Sequence, residues 1–335
     1  MRTVRFGIIG SNFITDRFWE AAKLCENVEI RAIYSRDINK ARRLAAEKGI
    51  PLFFDNLKAL SACRQIDAVY IASPNSCHFE QTMMMLKAKK HVICEKPLAS
   101  NYAEGSVMFR CAKDNGVFLM EAMRPVFHPV YQVIREKLKE IGPIRQVTLS
   151  YCQYSSRYNK FKRGIIENAF DPSLSNGSIM DIGCYPIHVM VMLFGLPGEI
   201  MSMGIRLPNS IDGNGNIIAH YGEFLANISY SKITDSYLEN EIQGENGSVR
   251  FYDIASPKNI CCRIGDNVQN MEVPGAEPDM QYEIREFVNI IQRTEYPDTY
   301  QKYSLDTLHL IDEAREQMKI VFPADTIVRG GFFTN

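Results

Sequence analysis

From Val4 to about Met123, short apolar runs (VRFGIIG, VEIRAIYS, DAVYIAS, HVICEKP and VFLMEAM) alternate with amphipathic stretches of helical period. That alternation leaves few solutions. Consecutive apolar residues suit a strand buried on both faces, which arises when helices cover both sides of a parallel sheet. The helices are then the crossovers that parallel strands require. Residues 1–123 are therefore expected to form an α/β Rossmann domain, a doubly wound parallel sheet. After Arg124 the pattern changes to a helix (Pro129 to Glu140), a strand (Ile144 to Tyr151), a polar and aromatic loop (Gln153 to Asn176) and a helix from near Asp181. Strands follow at Ile217 to Leu225, Ala226 to Lys232, Leu238 to Gln243, Ser248 to Tyr252 and Asn259 to Ile264, with hairpin chemistry at Glu245-Asn246-Gly247. Residues 124–335 are expected to be an α+β domain for substrate and oligomerisation, built on an open, mostly antiparallel sheet. Helices at Met280 to Gln292 and Tyr303 to Lys319 close the chain, the second placed to pack back on the first domain.

A chain of 335 residues exceeds what one hydrophobic core organises, in keeping with two domains. With 46% hydrophobic residues, 23% charged residues and a net charge of −1, neither disorder nor a broad cationic footprint for nucleic acid is indicated. No apolar run reaches the roughly 18 residues of a membrane span, the longest being Val189 to Leu196, and the start is too short in apolar residues for a secretory signal. The 9 cysteines include no CxxC pair, so reduced thiols are expected, with no metal site and a cytoplasmic location.

The turn after the first strand, Gly10-Ser11-Asn12-Phe13-Ile14-Thr15, stands where a dinucleotide-binding fold brings its backbone close to a pyrophosphate at a helix N-terminus. Only Gly10 matches the glycine template. Asn12, of the non-glycine type that best tolerates a left-handed backbone, is read as keeping the turn tight, and Thr15 as loosening the helix packing or contacting phosphate. The second strand ends Tyr34-Ser35-Arg36 without a carboxylate. A hydroxyl and a guanidinium fork there suit a ribose 2′-phosphate, so NADP(H) is favoured over NAD(H); Asp37, next in the chain, leaves the ribose hydroxyl open as an alternative.

Two further blocks carry a specific signature: Ile71 to Ala99, with Ser73-Pro74-Asn75, His78 and Glu95-Lys96-Pro97, and Gly177 to His188, with Asp181, Tyr185 and His188. On these residues the chain resembles the Gfo/Idh/MocA family of glucose-fructose oxidoreductases and inositol dehydrogenases across both domains. Glu121-Ala122-Met123 and Asp181 to Tyr185 are similar to its dihydrodiol dehydrogenase-like branch. The resemblance implies hydride transfer between nicotinamide C4 and a small sugar, polyol, diol or carbonyl substrate. It implies catalytic roles for Lys96, Tyr185 and Asp181. Oxidising an alcohol requires a proton to leave with the hydride, which calls for a positioned acid/base and a cation beside it. The cofactor-binding set comprises Gly10, Ser11, Asn12, Phe13, Ile14, Ser35, Arg36, Ser73, Pro74, Asn75, His78, Glu95 and Lys96. Lys96, Arg124, Asp181, Tyr185 and His188 are the candidate substrate contacts, Glu121 and His128 weaker ones.

Other readings stand beside these. Asp181 also suits a helix cap, His188 a packed core histidine, and Arg157, Lys160, Lys162 and Arg163 either an anionic substrate or a solvated loop. A non-catalytic NAD(P)H sensor or scaffold and an NAD-dependent glycosidase are the alternative functions. The resemblance also implies a homodimer or homotetramer formed through the sheet of the second domain.

Overall fold

The computed structural model describes residues 2–273, 275 and 277–326. They fall into two compact units, Met1–Met123 with Ala276–Ser304 and Arg124–Gly275 with Leu305–Asn335.

In the first unit the chain runs β1 (Val4–Ile9), α1 (Phe13–Lys23), β2 (Val28–Tyr34), α2 (Ile38–Lys48), β3 (Leu52–Phe54), α3 (Leu57–Ala62), β4 (Ala68–Ile71), α4 (His78–Lys87), β5 (His91–Glu95), α5 (Tyr102–Asp114) and β6 (Leu119–Ala122). The six strands are parallel in the order β3-β2-β1-β4-β5-β6. Strand order reverses between β1 and β4, and in such sheets the crevice beyond the carboxyl ends of the strands at that point receives the ligand. The turn after β1 and the Ser73-Pro74-Asn75 turn after β4 both stand there. The strands are apolar throughout because both faces are buried: Phe6, Ile8 and Ile9 of β1 and Val69, Tyr70 and Ile71 of β4 are all almost fully enclosed.

The second unit contains α6 (Arg124–Phe127), α7 (Val130–Leu138), β7 (Ile144–Cys152), α8 (Tyr158–Phe161), a π-helical turn at Ile179–Gly183, α9 (Cys184–Phe194), and β8 (Glu199–Arg206) to β14 (Asn267–Met271). Between these lie β9 (Asp212–His220), β10 (Leu225–Ser231), β11 (Asn240–Gly244), β12 (Gly247–Tyr252) and β13 (Lys258–Ile264). The sheet order is β14-β13-β12-β11-β7-β10-β9-β8, antiparallel except for β7 with β10. The expected strand Ile217 to Leu225 is in fact the end of β9, which stops at His220, and a turn into β10 in which the Tyr221 N–H donates to the Phe224 carbonyl at 3.0 Å. Asp212-Gly213-Asn214-Gly215-Asn216 has the composition of a loop, yet it is paired within β9. A Cβ at Gly215 would collide with the buried Tyr230 hydroxyl, so the glycine serves packing instead of a turn.

Helices α10 (Met280–Arg293) and α11 (Asp298–Met318) depart from expectation. Residues Ala276–Ser304 join the first unit, although everything after Arg124 was expected in the second. The apolar face of α10 explains the return: Phe287 packs its ring 5.8 Å from both Phe6 and Phe118. From Leu305 onward α11 belongs to the second unit. There Gln317 Nε2 donates to the Ile200 carbonyl at 3.0 Å and the Ser202 hydroxyl to the Ala314 carbonyl at 3.0 Å. One helical stretch, Pro172–Phe194, is long and apolar enough to span a bilayer by those two measures, against the expectation of none, but 83% of its most apolar window is buried inside the protein.

Candidate active site

Gly10 ends β1 with φ at +138°, and a Cβ there would stand 2.8 Å from the Ala72 carbonyl at the end of β4. Only glycine lets the two strand ends approach so closely, which leaves the cradle a dinucleotide backbone contact needs. Asn12 is not left-handed as expected. It is extended, with φ at −112°, and caps α1: its Oδ1 accepts from the Ile14 and Thr15 N–H groups at 3.1 and 3.3 Å while its Nδ2 donates to the Ala72 carbonyl at 3.1 Å. Its value here is the side-chain amide, which satisfies helix N–H groups and ties the turn to β4. Thr15 neither loosens the helix nor points to a phosphate; it is buried and its hydroxyl donates to the Asn12 carbonyl. Ser11 and Ile14 are half-buried and Phe13 is 65% exposed, an apolar ring left open beside the turn.

At the end of β2, Arg36 is exposed, while Asp37 is engaged as the cap of α2, accepting from Asn39 and Lys40 N–H groups at 2.9 and 3.3 Å. Ser35 Oγ accepts the Asp37 N–H at 3.3 Å. With Asp37 committed to its helix, the guanidinium is the charged group this corner offers to a ribose substituent, and the residues fit a 2′-phosphate.

The segment Glu95-Lys96-Pro97-Leu98 is braced from three sides. Glu95 accepts the Tyr70 hydroxyl at 2.6 Å and the Lys96 N–H at 3.3 Å; Tyr70 is fully buried and stacks on Phe18 with centroids 3.7 Å apart. The His78 imidazole lies between the Pro97 carbonyl (Nδ1, 2.9 Å) and the Ser73 carbonyl (Nε2, 3.0 Å), linking the turn after β4 to the lysine loop. Burial outweighs those carbonyls and holds the His78 pKa below the usual histidine value, so the neutral ring donates to one of them. Asn75 is buried, Pro74 half-buried, and the Ser73 hydroxyl donates to Gln81 at 2.8 Å. Glu121 is the third brace. Named as a substrate contact, it is instead buried and accepts the Leu98 N–H at 2.9 Å.

Burial pushes the Glu121 carboxyl up to about 7, opposed by hydrogen bonds from Ser304 and Leu98. The sign follows from linkage: a carboxyl with a raised folded pKa contributes fully at low pH and costs stability as pH rises from its unfolded value toward 7, by about 3 kcal/mol at the plateau. Glu121→Gln keeps an acceptor for Leu98 without the titration. Relative to wild type, its unfolding midpoint is expected to rise between pH 5 and pH 8; a difference constant across that range contradicts the assignment.

In the second unit, Asp212 is fully buried and accepts the Ser178 and Ile179 N–H groups at 3.0 and 2.6 Å, fixing the start of the π-helical turn. Burial raises its carboxyl to about 6 against those bonds. Asp181 lies inside that turn and is not a cap; its Oδ2 pairs with the ammonium of Lys232, which is only 3% exposed. Tyr185 follows in the first turn of α9, its ring edge-on to Tyr151 at 5.5 Å, with the Arg124 guanidinium 6.0 Å from its centroid. Arg124 also donates to the Ser256 hydroxyl at 3.2 Å. His188, 1% exposed, has its pKa pulled down by burial to about 3, a setting that suits a packed core histidine better than a substrate contact. In the loop of residues 153–176, Lys160 pairs with Glu167 at 2.8 Å and Lys162 lies over the rings of Tyr154 and Tyr158. Those cations serve the loop itself.

Lys232 and Asp212 were missed from sequence. Lys232 left a signal: Ala226, Ile228 and Tyr230 define the buried face of β10, and the two-residue period carries that face to a lysine.

Residues 4–123 match the family model described as an oxidoreductase family with an NAD-binding Rossmann fold, and residues 130–250 match the GFO/IDH/MocA C-terminal domain. Among curated proteins, the NADP-dependent scyllo-inositol 2-dehydrogenase of Bacillus subtilis is 44% identical over 96% of this chain and 99% of its own. The trans-1,2-dihydrobenzene-1,2-diol dehydrogenase of Mus musculus is 25% identical over 96% and 99%. Among solved structures, a 3-ketoreductase from Actinomadura kijaniata in complex with NADP and TDP-benzene superimposes with a TM-score of 0.84 at 23% identity, covering 95% of this chain and 98% of that one.

Proposed function

The chain belongs to the Gfo/Idh/MocA oxidoreductase family, and from that premise we propose that it transfers hydride between NADP(H) and a carbinol or carbonyl carbon of a small polyol or sugar. The observation that carries the reading is the bracing of Lys96. Glu95, His78 and Glu121 all bond to the backbone of the four residues around it. Three buried or half-buried polar groups spent on one short segment fix a functional side chain, which a sensor or scaffold does not need.

NADP+ when bound supplies the hydride acceptor. The turn from Gly10 to Ile14 would hold its pyrophosphate, Ser35 and Arg36 the 2′-phosphate, and the Ser73 to Asn75 turn with His78 and Glu95 the approach to Lys96. Lys96 orients the reacting hydroxyl of the substrate through its ammonium. In oxidation Tyr185 acts as the phenolate and takes the hydroxyl proton to become the phenol, in reduction the phenol returns that proton, and the Arg124 guanidinium over the ring favours the phenolate form. Asp181, through its carboxylate, orients the substrate beside Tyr185. Similarity to a scyllo-inositol dehydrogenase makes inositols the first substrates to try. Absorbance at the NADPH band with NADP+ and a panel of inositols, sugars and diols tests the reading; no reduction with any member contradicts it.

The reading extends to assembly and place. Met201, Met203 and Ile205 alternate along β8 and are exposed, beside exposed Ile218 and Leu225. A contiguous apolar row of this kind suits an interaction surface, which supports a homo-oligomer formed through this edge of the sheet. Light scattering at micromolar concentration is expected to give a multiple of the 38.2 kDa protomer, and Met203→Glu to shift the mass toward one protomer; a monomeric wild type removes the proposal. The free thiols among the described residues suit a reducing cytoplasm.

A further inference from the structure

Lys232 follows directly on β10, and its N–H donates to the Gly213 carbonyl at 2.9 Å, so it remains in the ladder with β9. The alternation of the strand turns its side chain into the interior. There the ammonium lies 5.1 Å from the centroid of the Phe170 ring and 3.5 Å from the Ala169 carbonyl, and it pairs with Asp181. An ammonium enclosed this far is tolerated only with a counter-charge. The two partners differ in access: the Lys232 side chain is 4% exposed, that of Asp181 31%. Lys232 is therefore too enclosed to meet a substrate, while the carboxylate it grips remains open.

The surrounding construction brings the pair together. Gly183, at the end of the π-helical turn, has no Cβ; one would lie 2.9 Å from the Tyr230 ring, two residues before Lys232 on the same face of the strand. The missing methyl lets β10 press against the turn that carries Asp181. Asp212 fixes the start of that turn through the Ser178 and Ile179 N–H groups. The backbone around Asp181 is thus held from one side and its carboxylate from the other.

We propose that Lys232 is a positioning residue that fixes the Asp181 carboxylate, as an anion in one orientation, one turn ahead of Tyr185. The inference rests on the reading that Asp181 and Tyr185 handle the substrate. Lys232 acts wholly through Asp181, and that sets it apart from a buried ion pair that only stabilises the fold: loss of such a pair lowers the melting temperature and leaves turnover of the folded enzyme unchanged.

The test uses the full chain with NADP+ and the inositol it oxidises, comparing wild type, Lys232→Met, Lys232→Arg, Asp181→Asn and the double variant Asp181→Asn with Lys232→Met. Lys232→Met is expected to lower kcat about 30-fold or more with KM for NADP+ within about threefold, and Lys232→Arg to recover about tenfold of that loss. The double variant buries no unpaired charge and is expected to fold. Its kcat should equal that of Asp181→Asn alone, because the two residues act as one unit. A folded Lys232→Met with wild-type kcat overturns the inference, as does a double variant whose loss is the product of the single losses. A wild type inert toward every polyol overturns the oxidoreductase reading itself, whereas an active wild type indifferent to Lys232 overturns this inference alone.

Discussion

Tyr185→Phe is expected to lower kcat by about two to four orders of magnitude, the usual range for removing a positioned acid/base, while NADPH affinity stays within about threefold. The substitution isolates the hydroxyl. Tyr185 is 7% exposed and packs edge-on against Tyr151 with Arg124 over its ring, contacts that a phenylalanine keeps. The structural cost is small, and in the proposed mechanism the lost atom is the proton carrier. Lys96→Ala is expected to match it in kcat for a different reason. Its side chain projects from a segment whose backbone is held by Glu95, His78 and Glu121, so truncation removes the ammonium and leaves the loop in place. Wild-type turnover in both variants contradicts the assigned roles.

Arg36→Ala is expected to weaken NADPH binding by about 100-fold and to change NADH binding by less than about threefold. A guanidinium forms paired, charge-assisted bonds to a phosphate, and NADH lacks that phosphate. Because Asp37 is committed to capping α2, no carboxylate is released at this corner to favour the ribose hydroxyl in the variant. Fluorescence titration with both nucleotides reads the effect; equal losses for the two cofactors, or a wild type that prefers NADH, would overturn the role given to Ser35 and Arg36.

The parts of the molecule legible in sequence are those whose determinants are local. Continuous apolar runs separated by helical periods give the parallel sheet of the first unit, and the turns after β1 and β4 stand out because a strand must end and a helix begin within a few residues. Several departures share one cause, long separation along the chain. Arg17 meets Asp279 across 262 positions, and α10 returns to the first unit with it. Lys232 and Asp181 lie 51 residues apart, and Asp212 caps a turn 33 residues earlier. None of these pairs forms a motif in sequence. Asn12 is a different kind of departure: its residue type suits the left-handed turn expected of it, yet it is extended and its side chain caps α1 while bonding to the Ala72 carbonyl, a neighbour 60 positions along the chain. His188 shows the same limit, since identity alone does not distinguish a ligand contact from a ring enclosed in a helix core.

The proposed reaction is direct hydride transfer from a polyol to NADP+ with net release of an oxidised product. Oxidation of a polyol substrate deuterated at its carbinol carbons by the purified protein with unlabelled NADP+, followed by mass spectrometry of the nucleotide formed, tests it. One deuterium is expected on the reduced nicotinamide, accumulated in proportion to ketone. Reduced nucleotide without deuterium, or label lost to solvent with no net NADPH, as in a transient oxidation on a bound cofactor, would contradict it.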